Sequence, residues 1–189
     1  PALNGEPISE LRLPVMFWIH GGGFTGGSGA EPKYNGSTLA STREVVVVTI
    51  NYRLGAFGFL TDPAFCAESP DCGMWGILDQ QAALKWVQNN IESFGGNPQN
   101  VTVFGESAGG MSTIIQMAQK STIGLFQQAI IESGIADGYP DKQMAEGFGQ
   151  ALSGELGCIG VESCLRSAPA SEILNAQKKC EEPNCWWPT

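Results

Sequence analysis

Four apolar runs of strand length lie in the first part of the chain, separated by glycine-rich or amphipathic segments. The runs are almost continuously apolar rather than alternating, which is typical of strands buried on both faces of a parallel sheet. β-Branched residues fill the second run and favour the same interpretation. We therefore predict buried strands over residues 15–19, 45–50, 101–104 and 129–131.

Amphipathic segments between these runs have the spacing of helices. Across residues 77–93, apolar side chains recur every four residues, at Ala83, Val87 and Ile91, which places them on one helix face. Gly95 follows and ends this helix, since glycine favours the conformation that terminates helices. We predict shorter helices over residues 37–44 and 108–119, and a helical, more polar region without strands from residue 143 onward.

Strands that alternate with helices predict an α/β fold, in which helices flank a largely parallel sheet. Between them we predict a glycine-rich loop over residues 25–35, a turn-rich connector over 55–63 and a surface excursion over 66–72. All of the roughly four strands come before residue 135. A sheet of this size leaves at least one edge open unless further chain covers it.

Composition narrows the range of partners. The 189 residues include 19 acidic and 10 basic side chains, for a formal net charge of −9. This argues against nucleic acid or an anionic membrane as a partner, because both bind clustered cations. No apolar run approaches the roughly 18 residues of a membrane-spanning helix.

The cysteines favour a secreted protein, because local disulfides are typical of that class. Spacing alone leaves the connectivity open, and free buried thiols are the alternative. A zinc site has less support, since there is no C-x-x-C pair and the single histidine is distant in sequence. Six cysteines form three close pairs, which are Cys66/Cys72, Cys158/Cys164 and Cys180/Cys185.

Two N-x-S/T sequons point to the secretory pathway as well. They begin at Asn35 and Asn100. Asn100 adjoins a predicted strand, where a glycan fits poorly. The chain starts at Pro1 without a signal segment, and we interpret it as part of a longer secreted or extracellular protein.

The motif Gly105-Glu106-Ser107-Ala108-Gly109 carries the chemistry. The pattern G-x-S-x-G is weak by itself, but here a predicted strand precedes it and a predicted helix follows. That context is typical of the nucleophile elbow of α/β hydrolases, a strained turn that exposes the serine hydroxyl. Ser107 is therefore the candidate nucleophile, and a plain glycine-serine turn is the alternative.

A glycine loop follows the first strand as His20-Gly21-Gly22-Gly23-Phe24. Loops of this type supply backbone N–H groups to the oxyanion of a tetrahedral intermediate. Ala108, the residue after the nucleophile, is expected to provide a further N–H group.

At these motifs the sequence resembles the type-B carboxylesterase family, which includes cholinesterases and related lipases. The resemblance covers about residues 14–180 and implies an α/β-hydrolase fold, with Ser107 as nucleophile and Gly22, Gly23 and Ala108 as the oxyanion hole. It also implies a disulfide loop at Cys158 and Cys164. Family members are longer, so we expect residues 1–189 to be a partial carboxylesterase domain, truncated at both ends. The matching blocks are 18–24, 51–55, 78–80, 94–98, 101–109 and 131–134.

In α/β hydrolases an acid and then a histidine follow the nucleophile, but no histidine follows Ser107. His20 adjoins the glycine loop, so packing or hydrogen bonding there is a better interpretation than general-base catalysis. Glu106 is expected to order hydrogen bonds near the site, whereas Glu132 and Asp137 come too early for the family's acid. The base and acid are expected from the missing C-terminal half of the chain, without which normal turnover is absent.

The resulting hypothesis is a serine carboxylic ester hydrolase that acts on small-molecule esters and needs neither metal nor cofactor. One alternative is a non-catalytic adhesion or partner-binding ectodomain on the same fold. Relatives of that kind lose the serine, whereas Ser107 and the three loop glycines are intact here. A thioesterase or peptidase with the same machinery is the other alternative, which the elbow alone does not separate.

Overall fold

The computed structural model describes residues 2–3, 6–7, 10–67, 69 and 71–180. Two compact units make up the chain. We call them the sheet unit, which comprises Pro1–Gly22, Gly27–Asn51 and Ile77–Ala136, and the helical unit, which comprises Gly23–Gly26, Tyr52–Gly76 and Asp137–Thr189. Among the described residues, no helix has the length and apolar character needed to cross a membrane.

The elements follow one another in an α/β order. The strands are β1 (Ala2–Leu3), β2 (Glu6–Pro7), β3 (Leu13–Ile19), β4 (Val46–Thr49), β5 (Gly96–Glu106) and β6 (Gln128–Glu132). The α-helices are α1 (Ser37–Arg43), α2 (Gly55–Phe59), α3 (Pro63–Cys66), α4 (Trp75–Asn90), α5 (Ala108–Ala118), α6 (Lys142–Glu155), α7 (Glu162–Ser167) and α8 (Ala170–Cys180). Short 3₁₀ helices lie at Pro32–Tyr34, Ile91–Phe94 and Lys120–Thr122.

The sheet unit is built on a four-stranded parallel sheet in the order β4-β3-β5-β6, which confirms the predicted class. Its centre is continuous apolar packing, since Val15, Phe17, Ile19, Val101 and Val103 are all 0% exposed. Near the start of the chain, β1 and β2 pair as a two-stranded antiparallel sheet. The apolar pattern of the sequence does not predict this small sheet.

The prediction that β6 is a buried strand is wrong for this chain. β6 lies at the sheet edge, and the side chains of Ile130 and Ile131 are 44% and 41% exposed. Their apolar character matches a strand covered on both faces, but the described residues leave both side chains partly uncovered. β4, also predicted as buried, is half-buried.

A buried polar network fixes α5 against α4. The Gln80 side-chain amide donates to the Ser112 hydroxyl at 3.0 Å and accepts from the Gln116 amide at 2.9 Å. The Gln116 amide also donates to the Ile77 carbonyl oxygen at 3.1 Å. Networks of this kind favour one packing arrangement over its alternatives, and here they set the position of the helix that follows Ser107.

The helical unit has its own core of Ala56, Leu60, Leu152, Ala176 and Cys180. The connector predicted over residues 55–63 is instead partly helical, because α2 occupies Gly55–Phe59. Its glycines suit close packing, since a Cβ at Gly58 would lie 2.1 Å from the Arg53 carbonyl oxygen.

Two of the three predicted disulfides are confirmed, both within the helical unit. They join Cys66 to Cys72 and Cys158 to Cys164. Cys180 is buried, whereas Cys185 lies outside the described residues, so the third pair stays a prediction.

Candidate active site

Ser107 occupies a strained turn between the end of β5 and the start of α5. Its backbone has φ 55° and ψ −121°, a region that is costly for any residue with a side chain. The Ser107 N–H donates to the Glu132 carbonyl oxygen at 2.8 Å, and the Met111 N–H donates back to the Ser107 carbonyl at 2.9 Å. The turn is therefore held from both sides while Ser107 stays partly exposed.

The two glycines of the motif are required by backbone contacts. A Cβ on Gly105 would lie 2.4 Å from the Gly109 carbonyl oxygen, and a Cβ on Gly109 would lie 2.0 Å from the Ile19 carbonyl oxygen. Both separations are far inside van der Waals contact, so any side chain would force the turn open. The spacing G-x-S-x-G thus follows from the way the helix start packs on β3.

The glycine loop begins directly against this turn. A Cβ on Gly21 would lie 2.6 Å from the Glu106 carbonyl oxygen and 3.2 Å from the Ser107 Cβ. The same position is 3.1 Å from Oε2 of Glu106, which places that carboxylate beside the loop. Gly22 and Gly23 follow with φ of 113° and 59°, conformations that glycine adopts without steric cost.

His20 is fully buried under the loop. Its Nδ1 lies 2.8 Å from the Gly21 carbonyl oxygen, and a Cβ on Gly27 would lie 2.6 Å from the same nitrogen. A ring nitrogen that faces a carbonyl donates to it. The imidazole therefore bonds to the start of the loop and packs closely against Gly27.

A second pair of glycines, Gly110 and Gly134, supports the Ser107 turn. A Cβ on Gly110 would lie 2.7 Å from the Glu132 carbonyl oxygen, and one on Gly134 would lie 2.5 Å from the Gly110 carbonyl carbon. Between them Ser133 has φ 52°. Residues 131–134 resemble a block of the family, but their contact with the Ser107 turn is visible only in the folded structure.

The far end of the glycine loop belongs to the helical unit, where α2 holds it. The Gly55 N–H donates to the Phe24 carbonyl oxygen at 2.7 Å. The rings of Phe24 and Phe59 meet edge to face, with centroids 5.2 Å apart. Phe24 itself has φ 60°, an unusual conformation for a bulky residue.

The other acidic candidates are placed at the surface. Glu132 and Asp137 are exposed. Glu106 is the register partner of Glu132 across the β5–β6 pair, and it is half-buried.

The sequence model of the Carboxylesterase family matches residues 5–187. The chain belongs to this family. Over 175 residues it is 49% identical to the para-nitrobenzyl esterase of Bacillus subtilis (strain 168), a match that covers 88% of this chain and 35% of that protein. It is 43% identical over 172 residues to the acetylcholinesterase of Bungarus fasciatus, with 87% of this chain and 28% of that protein covered.

Solved carboxylesterases share the fold. The chain superposes on the Geobacillus stearothermophilus carboxylesterase EST55 with a TM-score of 0.89 and 40% identity, over 95% of this chain and 38% of that one. This confirms the α/β-hydrolase class. The chain spans about a third of the length of the curated relatives it matches.

Proposed function

We propose that this chain is the nucleophile-bearing part of a serine carboxylic ester hydrolase, with Ser107 as the nucleophile. The observation that carries the proposal is the Ser107 backbone, held at φ 55° between β5 and α5 with the glycine loop packed against it. A strained serine turn beside a bare-backbone loop is the arrangement with which α/β hydrolases form and stabilise an acyl-enzyme.

In the proposed reaction, Oγ of Ser107 attacks the acyl carbon of the ester while a general base takes its proton. The tetrahedral intermediate collapses, the bond to the alcohol oxygen breaks, and the alcohol leaves with that proton. Water then attacks the acyl-enzyme by the same route, which releases the carboxylic acid and restores Ser107.

The oxyanion of each intermediate is proposed to accept hydrogen bonds from the N–H groups of Gly22, Gly23 and Ala108. Ala108 is the first residue of α5, and the first N–H groups of a helix have no partner within it. At Gly22 and Gly23 the absence of side chains leaves the backbone open to substrate. One oxyanion donor of this type is worth about 10²–10³-fold in rate.

The general base is proposed to come from outside these 189 residues. His20 is the sole histidine, and its Nδ1 is engaged with the Gly21 carbonyl. We therefore assign His20 to holding the loop and Glu106 to ordering hydrogen bonds beside it. On this basis the 189-residue chain alone lacks normal turnover.

The proposed substrate class is small-molecule carboxylic esters, and the reaction as written uses no metal or cofactor. Support comes from family membership and from relatives named as esterases and acetylcholinesterase. A non-catalytic binding role is the alternative outcome of the test below.

We also propose a secreted protein that carries a glycan at Asn35. Asn35 is exposed just before α1, whereas Asn100 lies within β5, and the Thr102 hydroxyl of its sequon donates to the Gln128 side chain at 3.1 Å. The two disulfides accord with an oxidising compartment. Glycosidase treatment of protein from a secreting cell is expected to remove one glycan, and Asn35→Gln abolishes that shift while Asn100→Gln leaves it.

A fluorophosphonate probe tests the catalytic proposal. In the intact protein the probe is expected to label Ser107, and Ser107→Ala abolishes both labelling and hydrolysis of p-nitrophenyl butyrate. In the 189-residue chain, turnover is expected to stay near background. An unlabelled intact protein contradicts the assignment of Ser107, and enzyme-like turnover by the short chain contradicts the external base.

A further inference from the structure

The start of α2 takes its capping interaction from a distant part of the chain. Leu54, the residue that precedes the helix, has no polar side-chain atom with which to cap it. The side-chain oxygen Oε1 of Gln177 instead accepts the Ala56 N–H at 2.9 Å, across 121 residues of sequence. A capping acceptor at a helix start stabilises it by about 1 kcal/mol.

The fit at this point is tight. Gln177 lies on α8 and is only 7% exposed, while Ala56 is 4% exposed. A Cβ on Gly55 would lie 2.3 Å from Oε1 of Gln177, so glycine is needed for the amide to reach α2. Gly55 also has φ 53°, a second reason why a side chain is excluded there.

The same helix start holds the glycine loop. Successive N–H groups of α2 have different acceptors, since Gly55 donates to the Phe24 carbonyl and Ala56 to Gln177. Phe24 comes directly after Gly23 and stays at φ 60°. Because that conformation is strained, an external contact has to keep it in place.

We infer that Gln177 is a positioning residue for the glycine loop, acting through α2. Its amide fixes the first turn of α2, the Gly55 N–H fixes Phe24, and Phe24 sets the orientation of the adjoining Gly23 peptide. This inference rests on the proposed function, in which Gly23 stabilises the oxyanion.

A positioning role predicts a particular kinetic signature. Oxyanion donors act on the intermediate rather than on the bound ester, so a misplaced Gly23 lowers kcat and leaves KM nearly unchanged. Loss of an oxyanion donor lowers kcat about 10²–10³-fold. If the Gly23 N–H group is displaced but still donates, we expect kcat to fall by roughly tenfold, which is less than the effect of losing a donor.

The test compares four variants of the intact protein. Gln177→Leu keeps the volume and removes the acceptor, and Gln177→Asn keeps an amide that is too short to reach Ala56. Gln177→Glu keeps an acceptor oxygen at the same reach, and Gln150→Leu makes the same change at an exposed position on α6. We expect kcat to drop in Gln177→Leu and Gln177→Asn and to recover toward the wild-type value in Gln177→Glu. We expect no change in kcat for Gln150→Leu.

Amide hydrogen exchange provides a readout that is independent of catalysis. Protection of the Ala56 and Gly55 amides is expected to fall in Gln177→Leu and Gln177→Asn and to stay high in Gln177→Glu. If Gln177→Leu does not fold, Gln177→Asn carries the same comparison.

Two results would overturn the inference: unchanged kcat in folded variants that lack the acceptor, or unchanged protection at Gly55. If the fluorophosphonate does not label the wild-type protein, that result contradicts the proposed function instead. In that case the exchange data alone decide whether Gln177 holds α2 and, through it, Phe24.

Discussion

The peptide nitrogen of Ser107 donates to the carbonyl oxygen of Glu132 at 2.8 Å. This bond joins the candidate nucleophile to the last residue of β6, and the turn that follows brings Gly134 against Gly110. Two strained residues, Ser107 and Ser133, therefore belong to one backbone junction. The geometry of Ser107 depends on the close approach of two chain segments as well as on its own motif.

Gly134→Ala is expected to disturb Ser107 without touching substrate. Its Cβ would lie 2.5 Å from the Gly110 carbonyl carbon, and overpacking of this kind costs about 1–3 kcal/mol. Since small displacements of a nucleophile can cost about 10²-fold in rate, we expect the fluorophosphonate labelling rate of the intact protein to fall at least roughly tenfold.

Gly147→Ala is the matched control, because among the described residues a Cβ there meets no atom within 4 Å. It lies within α6, where alanine favours the helix by about 1 kcal/mol over glycine. The variant is expected to be labelled at the wild-type rate and to unfold at an equal or higher denaturant concentration than the wild type. Equal labelling rates for both variants would contradict the role assigned to the Gly110–Gly134 contact.

Gly21→Ala is expected to damage the site more severely. The new Cβ would contact the Glu106 carbonyl oxygen at 2.6 Å and the Ser107 Cβ at 3.2 Å, and backbone cannot move aside as a flexible side chain can. Steady-state hydrolysis by the intact protein is expected to fall by about 10² or more. Gly26→Ala, where a Cβ has no described neighbour within 4 Å, is expected to keep most activity, and a similar loss there would show that any loop substitution is harmful.

Ser107→Gly is expected to be more stable than Ser107→Ala. Only glycine adopts φ 55° with ψ −121° without strain. For alanine the strain costs about 1–3 kcal/mol of folding stability. Urea unfolding of both variants measures the difference. At Ser41, which lies within α1, the order should reverse, because alanine is the better helix former by about 1 kcal/mol. The same order at both positions would show that Ser107 stores no backbone strain.

The sequence predicted the parallel sheet well because each central strand has enough apolar residues to be covered on both faces. By the same reasoning Ala129, Ile130 and Ile131 predict that β6 is buried, which is wrong. The position of a strand within the sheet is set by topology and is not visible in a run of residues. Helix α2 was missed because Gly55 and Gly58 suit turns as readily as close helix packing. The cap from Gln177 joins positions 121 residues apart, and local patterns carry no information about such a pair.

Replacing Cys158 and Cys164 together by serine is expected to destabilise the helical unit by about 2 kcal/mol. The disulfide closes a short loop, with a sequence separation of 6, and loops of that size restrict the unfolded chain only modestly. Urea unfolding with and without a reductant measures the loss. Reductant should have less effect on this variant than on the wild type, which keeps both bonds; an equal effect would show that the Cys66–Cys72 bond alone matters.

Ser153→Ala is expected to destabilise the protein by about 1–3 kcal/mol, because it leaves a buried carboxylate with one partner fewer. The Ser153 hydroxyl lies 2.5 Å from Oδ2 of Asp62, and Asp62 is 1% exposed. The other carboxylate oxygen accepts the Ala64 N–H at 2.8 Å, so the carboxylate also holds the start of α3. Ser167→Ala, at an exposed site on α7, is the control and is expected to change stability by less than about 0.5 kcal/mol. If the two variants unfold at the same urea concentration, the Asp62–Ser153 pair makes no net contribution to stability.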